Sequence, residues 1–151
     1  MINAAAQATT MDRPTWMGVL ARADAPRLAQ LFPELPDHSV LRAPETGAVM
    51  VRGRIGGVGQ PFNLGEMTVT RCTLCLTTGA VGHACVQGRD KAHALRAAAV
   101  DALMQTDVAD ALRNAVLDPL AAEEAAKRKR RATRAAATKV EFFTLVRGED
   151  Q

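Results

Sequence analysis

The segment GEMTVTRC, residues 65–72, combines strand-like alternation with three side chains that could face an anion or a substrate, Glu66, Thr70 and Arg71. Side chains two positions apart on a strand point the same way, so Arg71 lies in line with Met67 and Val69. The opposite face carries a polar row, formed by Glu66, Thr68 and Thr70. A buried guanidinium without an acceptor is too costly. Arg71 is therefore predicted to meet either a carboxylate, from Glu66 or elsewhere, or a bound anion, which the planar arginine fork suits well.

A second anion candidate is GRDK, residues 88–91, where a predicted strand ends and a predicted helix begins. The unpaired N–H groups and the dipole of a helix N-terminus favour an anion, and Arg89 and Lys91 would add positive charge. A capped, solvated turn is the alternative, and spacing alone favours that alternative.

The cysteines and histidines are the other residues whose types could supply metal ligands or catalytic groups. The Cys72-x2-Cys75 pair, with Cys85 and His83, would supply four zinc ligands, but Cys72 and Cys75 differ in strand parity, and zinc knuckles use a turn there. We predict no metal site and three buried, inert thiols. No local carboxylate or serine completes a triad with any of the histidines, His38, His83 and His93. Spacing alone assigns no catalytic residue.

Composition limits the class of protein. A chain of 151 residues with 48% hydrophobic content can form one ordinary domain with a real core. No apolar run reaches the roughly 20 residues of a membrane span, and the N-terminus lacks the features of a secretory signal. Three cysteines are an odd number for a disulfide framework. We therefore expect a cytoplasmic protein.

The net charge of +3 comes from a basic run at residues 127–134. Phosphate binding to nucleic acid is one interpretation of such a run. Because the run lacks interleaved aromatic residues and has charge all around its helix, a solvated or partner-facing helix is favoured, and no nucleic acid is expected. The apolar tail that follows is predicted to bind a partner or the sheet of its own domain, through Phe142, Phe143, Leu145 and Arg147.

The elements that position these residues predict an α+β fold, with a mostly antiparallel sheet flanked by helices and an extended C-terminal helix and tail. Capping aspartates followed by proline indicate helices that start after Asp12 and Asp24. Four strands are predicted between residues 39 and 88, with a hairpin tip at Thr78-Gly79. Changes of apolar parity along the third strand predict bulges at Gly65 and near Arg71-Cys72.

Helices are predicted to follow the sheet. Asp90 would cap a helix to about Gln105, with one buried stripe made of Ala92, Leu95, Ala99 and Leu103. Another helix would start at Asp107, and Asp118-Pro119 would either cap a third or kink the second. We expect a single domain over residues 13–149, after a disordered segment 1–12, with 119–151 as a helix and tail for partner docking.

Three long motifs in order, PFNLGEMTVTRC, GHACVQGRDKAHALRAAAVDALMQ and ATKVEFFTLVRGE, resemble the G subunit of the bacterial carbon-phosphorus lyase system, the PhnG family. The resemblance runs from about Arg13 to Glu149. The TRC and GRDK motifs of the family correspond to residues 70–72 and 88–91 of this chain.

The resemblance implies a subunit of the carbon-phosphorus lyase core complex in phosphonate catabolism, with H, I and J subunits and the L protein as partners. Such subunits support a transferase step in which a phosphonate displaces adenine from MgATP, giving a ribose 1-phosphonate 5-triphosphate. It implies no cofactor on this chain, with MgATP as substrate of the complex, and no assigned catalytic residue. The I subunit is the better candidate for that chemistry, and C-P cleavage belongs to J. A purely structural scaffold remains the alternative, and a nucleic-acid-binding protein is a remote one.

Overall fold

Three antiparallel strands in the order β1-β2-β3 form one sheet in the computed structural model, which describes residues 11–139. The strands are β1 (His38–Arg54), β2 (Pro61–Leu76) and β3 (Val81–Gln87). The predicted α+β class is confirmed, but the prediction of four strands was wrong. Its first two strands are one long strand, β1, which crosses Pro44 without ending.

Within the described range, five α-helices accompany the sheet: α1 (Arg13–Arg22), α2 (Ala25–Leu31), α3 (Lys91–Leu103), α4 (Ala109–Leu112) and α5 (Asp118–Ala137). A π-helical segment, Arg113–Leu117, joins α4 to α5, just before Pro119 in the first turn of α5. Proline has no N–H to donate, so a widened turn before it keeps the helical path continuous. Asp118-Pro119 thus marks a change of helical pitch.

The predicted aspartate caps are confirmed for three helices. Asp12, Asp24 and Asp90 precede α1, α2 and α3, and each carboxylate accepts a hydrogen bond from the backbone N–H three residues later, at 2.9 to 3.3 Å. These bonds satisfy N–H groups that the first turn of a helix leaves without partners. The chain therefore starts each of these helices by a local interaction.

The bulge predicted beside Gly65 is confirmed. Val51 pairs with Gly65 and Arg52 pairs with Asn63, so Leu64 is an extra residue on β2.

The second predicted bulge, near Arg71-Cys72, was wrong. β2 keeps a regular register with β3 from Val69 to Cys75, and β1 carries two extra residues, one between Val40 and Arg42 and one between Arg42 and Glu45. Pro44 lies in the second of these intervals and cannot donate a ladder hydrogen bond, which accounts for the irregularity there.

Helix α3 packs on the sheet through alanines. Its buried positions include Ala94, Ala97, Ala98 and Ala102, whereas Leu95 and Leu103 are only half-buried. The predicted stripe was wrong in phase: Ala92 is exposed, and only Ala99 of that stripe is buried. Small side chains let the helix approach β3 closely, and a Cβ on Gly82 would lie 2.8 Å from the Cβ of Ala102. The core is built by close approach of backbones more than by large side chains.

Strands β1 and β2 extend far past β3. Because β3 pairs with β2 only from Val69 to Cys75, residues 48–68 form a two-stranded projecting arm. Its turn contains Gly56 and Gly57 in the left-handed region, at φ of 61° and 83°, which suits glycine. Large apolar side chains are exposed along the arm: Met50, Ile55, Val58, Phe62 and Leu64.

Candidate functional site

Arg71 lies on the face of the sheet that α3 does not cover. Its neighbours on β2, Thr70 and Cys72, are buried under the helices, and alternation turns the half-buried Arg71 to the other side. Across the ladders it pairs with Glu45 of β1 and Cys85 of β3. The Glu45 carboxylate instead accepts a hydrogen bond from the Arg42 guanidinium.

Glu66 is not placed beside Arg71. It lies exposed in the projecting arm, opposite Met50, and five residues along β2 from Arg71. Within residues 11–139, no carboxylate lies at ion-pair distance from the Arg71 guanidinium. The open face of the sheet thus presents an arginine whose charge the described chain does not neutralise.

Thr70 joins the two motifs that the sequence singled out. Its side chain is fully buried, and its hydroxyl Oγ1 donates to the Gly88 carbonyl at 2.8 Å. The Gly88 N–H donates to the Thr68 carbonyl at 2.9 Å, and Gly88 has φ of 92°. The hydroxyl of Thr70 is therefore used to fix the turn that starts the GRDK motif.

Arg89 and Lys91 are exposed at the start of α3, beyond the end of β3. The Asp90 carboxylate caps the helix through the His93 N–H, which is the capped turn that spacing favoured. Helix α3 covers one face of the sheet and Arg71 projects from the other. The two motifs therefore meet through Thr70, while their cations lie on different sides.

Asp101, which the sequence analysis did not single out, is the most highly coordinated polar side chain of the core. Its carboxylate is fully buried and accepts from Arg13 Nε at 3.1 Å, Arg13 Nη2 at 2.7 Å, Trp16 Nε1 at 2.8 Å and the His83 N–H at 2.9 Å. The hydrogen bond to Asp101 raises the pKa of Arg13. These bonds hold α1 against the outer edge of β3, so Asp101 positions elements and has no open side for a substrate.

The histidines make separate contacts. His93 is buried, and its Nε2 lies 2.8 Å from the Leu20 carbonyl, so the ring donates there and ties the end of α1 to the start of α3. His83 Nδ1 lies 3.1 Å from Thr73 Oγ1, and His38 Nδ1 lies 2.7 Å from the Pro36 carbonyl.

The three cysteines differ in exposure, so the prediction that all are buried was wrong. Cys72 is in the core, and burial raises the pKa of its thiol. Cys75 is half-buried on the opposite face of β2, as its parity predicts, and Cys85 on β3 is exposed. In the part of the chain that the structure describes, no group of three or more His, Cys, Asp or Glu side chains could hold a metal ion.

The basic run lies on α5, which two ion pairs fasten to the N-terminal helices. Arg22 Nε lies 2.6 Å from Glu124 Oε1, and Arg27 Nε lies 2.8 Å from Glu123 Oε1. From residue 125 onward, the described residues of α5 are exposed. Over residues 11–139, no helix has both the length and the apolar character needed to cross a bilayer.

Four sequence-predicted residues, Phe142, Phe143, Leu145 and Arg147, lie outside the described residues, as does most of the segment 1–12.

Comparison with known proteins adds what the geometry alone does not assign. The family model described as "Phosphonate metabolism protein PhnG" matches residues 11–148. A relative from Rhizobium meliloti (strain 1021), named alpha-D-ribose 1-methylphosphonate 5-triphosphate synthase subunit PhnG, is 49% identical over 137 residues, which cover 89% of this chain and 88% of the relative. The residues that the family model matches include Thr70, the GRDK turn, and Asp101 with its donors Arg13 and Trp16. The chain therefore belongs to the PhnG family of phosphonate metabolism proteins.

Proposed function

We propose that this chain is the G subunit of a ribose 1-methylphosphonate 5-triphosphate synthase and is inactive by itself. In that reaction an alkylphosphonate displaces adenine from the ribose C1 of MgATP. The observation that carries the proposal is the 49% identity to a subunit of that name across nearly the whole length of both chains.

The projecting arm supports the role of a non-autonomous subunit. Val58 is 91% exposed, Ile55 67% and Leu64 66%, on a hairpin that no third strand or helix of residues 11–139 covers. Two-stranded hairpins are marginal in water, and an exposed apolar patch of this kind marks an interaction surface. We assign the arm to an interface with another subunit.

We further propose that the partners are the H, I and J subunits of the carbon-phosphorus lyase core complex, together with the L protein, in the cytoplasm. The three free thiols suit a reducing compartment. This chain would bind no cofactor of its own, and MgATP would enter as substrate of the complex.

The tail is assigned to the same assembly. We propose that 119–151 acts as a docking helix and tail of one domain that spans 13–149. Each large apolar side chain of the tail gains roughly 1.5 to 3 kcal/mol on burial, before ordering costs. Deleting 140–151 should abolish co-purification with the partner subunits or make the chain insoluble. A truncated chain that is folded and still assembles would contradict the docking role.

Reconstitution tests the main proposal. Adenine release from MgATP in the presence of methylphosphonate is measured with the H, I and L proteins, with and without this chain. We expect turnover only when this chain is present, and co-elution with its partners by size. Equal turnover without this chain would overturn the proposal.

Substitutions of Arg71 test whether this chain contributes to the substrate site or acts only as a scaffold. Arg71→Lys and Arg71→Met are compared in the reconstituted complex, with assembly and turnover measured separately. A substrate contact predicts that both variants assemble and lose turnover, with Lys retaining more because its charge survives. Loss of assembly would instead make Arg71 structural, and unchanged turnover would exclude both roles. Arg89→Met, with assembly and turnover again measured separately, tests in the same way whether the GRDK turn contacts the substrate or is needed for assembly.

A further inference from the structure

A basic cleft lies where α1 and β3 end, beside α5. It has a volume of about 280 Å³ and is lined by Arg22, Gln87, Glu124, Lys127, Arg128 and Arg131. Four of these six side chains are cationic and one is a carboxylate. We call it the α1–α5 cleft.

The spacing of the three basic α5 residues that line the cleft places their side chains on the same side of the helix. Lys127 and Arg131 are four positions apart, and Arg128 and Arg131 three, so all three project from one side of the helix. Lys129 and Arg134 line a separate shallow surface with Arg130. The basic run thus lines more than one surface, since Lys127 and Arg130 also line a groove with Arg22 and Arg27. Of these surfaces, only the α1–α5 cleft includes a residue of β3, Gln87.

Glu124 orients two of the arginines. Its Oε1 accepts from Arg22 Nε at 2.6 Å and from Arg128 Nη2 at 3.0 Å, and its Oε2 accepts from Arg22 Nη2 at 3.3 Å. One carboxylate thus holds two guanidinium groups at the cleft and neutralises only part of their charge. Within residues 11–139, Lys127 and Arg131 have no carboxylate at ion-pair distance.

The cleft adjoins the GRDK turn. Gln87 lines it and directly precedes Gly88, while the bond from His93 Nε2 to the Leu20 carbonyl brings the last turn of α1 beside the first turn of α3. Arg22 follows Leu20 by two residues, and Lys91 precedes His93 by two. The exposed cations of the turn and those of the cleft therefore belong to the same end of the protein.

We propose that the α1–α5 cleft binds the triphosphate group of a nucleotide or of a ribose triphosphate product, an inference that rests on the proposed function for its choice of ligand. A triphosphate offers a chain of oxygens to guanidinium forks, and the amide of Gln87 adds a neutral donor. Glu124 acts as a positioning residue that preorganises Arg22 and Arg128. A concave site with convergent donors distinguishes this arrangement from a diffuse basic surface.

Calorimetry on the full chain tests the cleft, with inorganic tripolyphosphate, ATP and adenosine as probes at about 150 mM salt, where distant surface charges are screened. The cleft variant is Lys127→Gln with Arg131→Gln. The matched control is Lys129→Gln with Arg134→Gln, which removes the same charge from the same exposed helix. Circular dichroism checks that both remain helical, and Arg128→Gln provides a second cleft variant if the double change unfolds α5.

We expect tripolyphosphate and ATP to bind with similar affinity and adenosine not to bind. The cleft variant should weaken tripolyphosphate binding by about tenfold or more and the control by less than about threefold, since only direct contacts survive screening. An equal loss of tripolyphosphate affinity in both variants would overturn the proposal, as would the absence of tripolyphosphate binding by the unaltered chain. A single-stranded oligonucleotide that binds more tightly than tripolyphosphate, and loses affinity equally in both variants, would also overturn it.

The two proposals fail differently. Turnover that persists in the complex with an unchanged KM for MgATP in the cleft variant would overturn the cleft and leave the subunit role intact. Tripolyphosphate binding that depends on the cleft, in a chain that the reconstituted synthase does not require, would overturn the subunit role alone.

Discussion

Arg13 and Asp101 lie 88 residues apart in the sequence and form a two-point ion pair, with Nε–Oδ1 at 3.1 Å and Nη2–Oδ2 at 2.7 Å. Asp101 is fully buried, and each of its oxygens accepts two hydrogen bonds. An amide in its place would direct N–H groups at other donors. Asp101→Asn is therefore expected to lower the free energy of unfolding by about 2 to 4 kcal/mol, measured by urea denaturation.

Asp107→Asn is the control for that substitution, because Asp107 is exposed. A change within about 0.5 kcal/mol is expected for it. Equal stability of the two variants would show that the Asp101 network does not hold α1 in place.

Gly82 tests the close approach of α3 to β3. An added Cβ would lie 2.7 Å from the Ala102 N and 2.8 Å from the Ala102 Cβ, so the helix must move. Gly82→Ala should cost about 3 kcal/mol or more, at the upper end of overpacking effects. Gly47→Ala, where nothing lies within 4 Å, should be nearly neutral. A stable Gly82→Ala protein would mean that α3 lies farther from the sheet.

Thr70 tests the link between β2 and the GRDK turn. Thr70→Val keeps the shape but removes the donor to the Gly88 carbonyl, and should cost about 1 to 2 kcal/mol in the free energy of unfolding. Thr70→Ser keeps the hydroxyl and should retain most of that bond. If both variants lose the same stability, methyl packing rather than the hydrogen bond fixes the turn.

The thiols should react in order of exposure. The thiolate is the nucleophile, so the buried Cys72, whose pKa burial raises, should resist iodoacetamide while the exposed Cys85 is modified first. Mass spectrometry of the folded chain measures this order, and urea should make all three reactive. Rapid native modification of Cys72 would contradict its place in the core.

Glu124 should make stability depend on acid pH. The hydrogen bond from Arg22 is the main cause that lowers the pKa of Glu124 below its ordinary 4.5, with help from the charge of Arg128. The folded state thus releases this proton more readily than the unfolded state. The stabilisation is complete above pH 4.5 and is lost as the pH falls through the lower folded value.

The variant Glu124→Gln isolates this contribution. It should be less stable than the unaltered protein at pH 7, by at most about 1 kcal/mol for a partly exposed pair, and the difference should vanish in acid. Glu34→Gln, at an exposed position, serves as the control. A difference that grows in acid would reverse the assigned sign.

The sequence predicted correctly the structural features that depend only on a few neighbouring residues. The three aspartate caps and the Thr78-Gly79 hairpin tip are each decided within a few residues, and they are confirmed. Asp101 was missed because its donors come from residues 13, 16 and 83, and no spacing rule connects them. The phase of α3 was wrong because leucines were expected to be buried, whereas Gly82 admits only small side chains opposite it.

The candidate site was predictable as motifs but not as an arrangement. Residues 70–72 and 88–91 were singled out from their types, and the bond from Thr70 to Gly88 joins them. That Arg71 and Lys91 would occupy different sides depends on which face α3 covers. The α1–α5 cleft depends on the ion pair between Arg22 and Glu124, which are 102 positions apart.

The projecting arm divides the sheet into two regions of unequal local stability. From Val69 to Cys75, β2 is hydrogen-bonded on both sides and covered by α3. The strand residues within 48–68, in contrast, form ladder hydrogen bonds only between β1 and β2. Backbone amides there can open to solvent without disturbing the core, so hydrogen exchange in the free chain is governed by local opening. Register is also weakly specified where neither face is buried. A partner that covers the arm would thus fix its strand pairing, and part of the folding of this subunit would be completed during assembly.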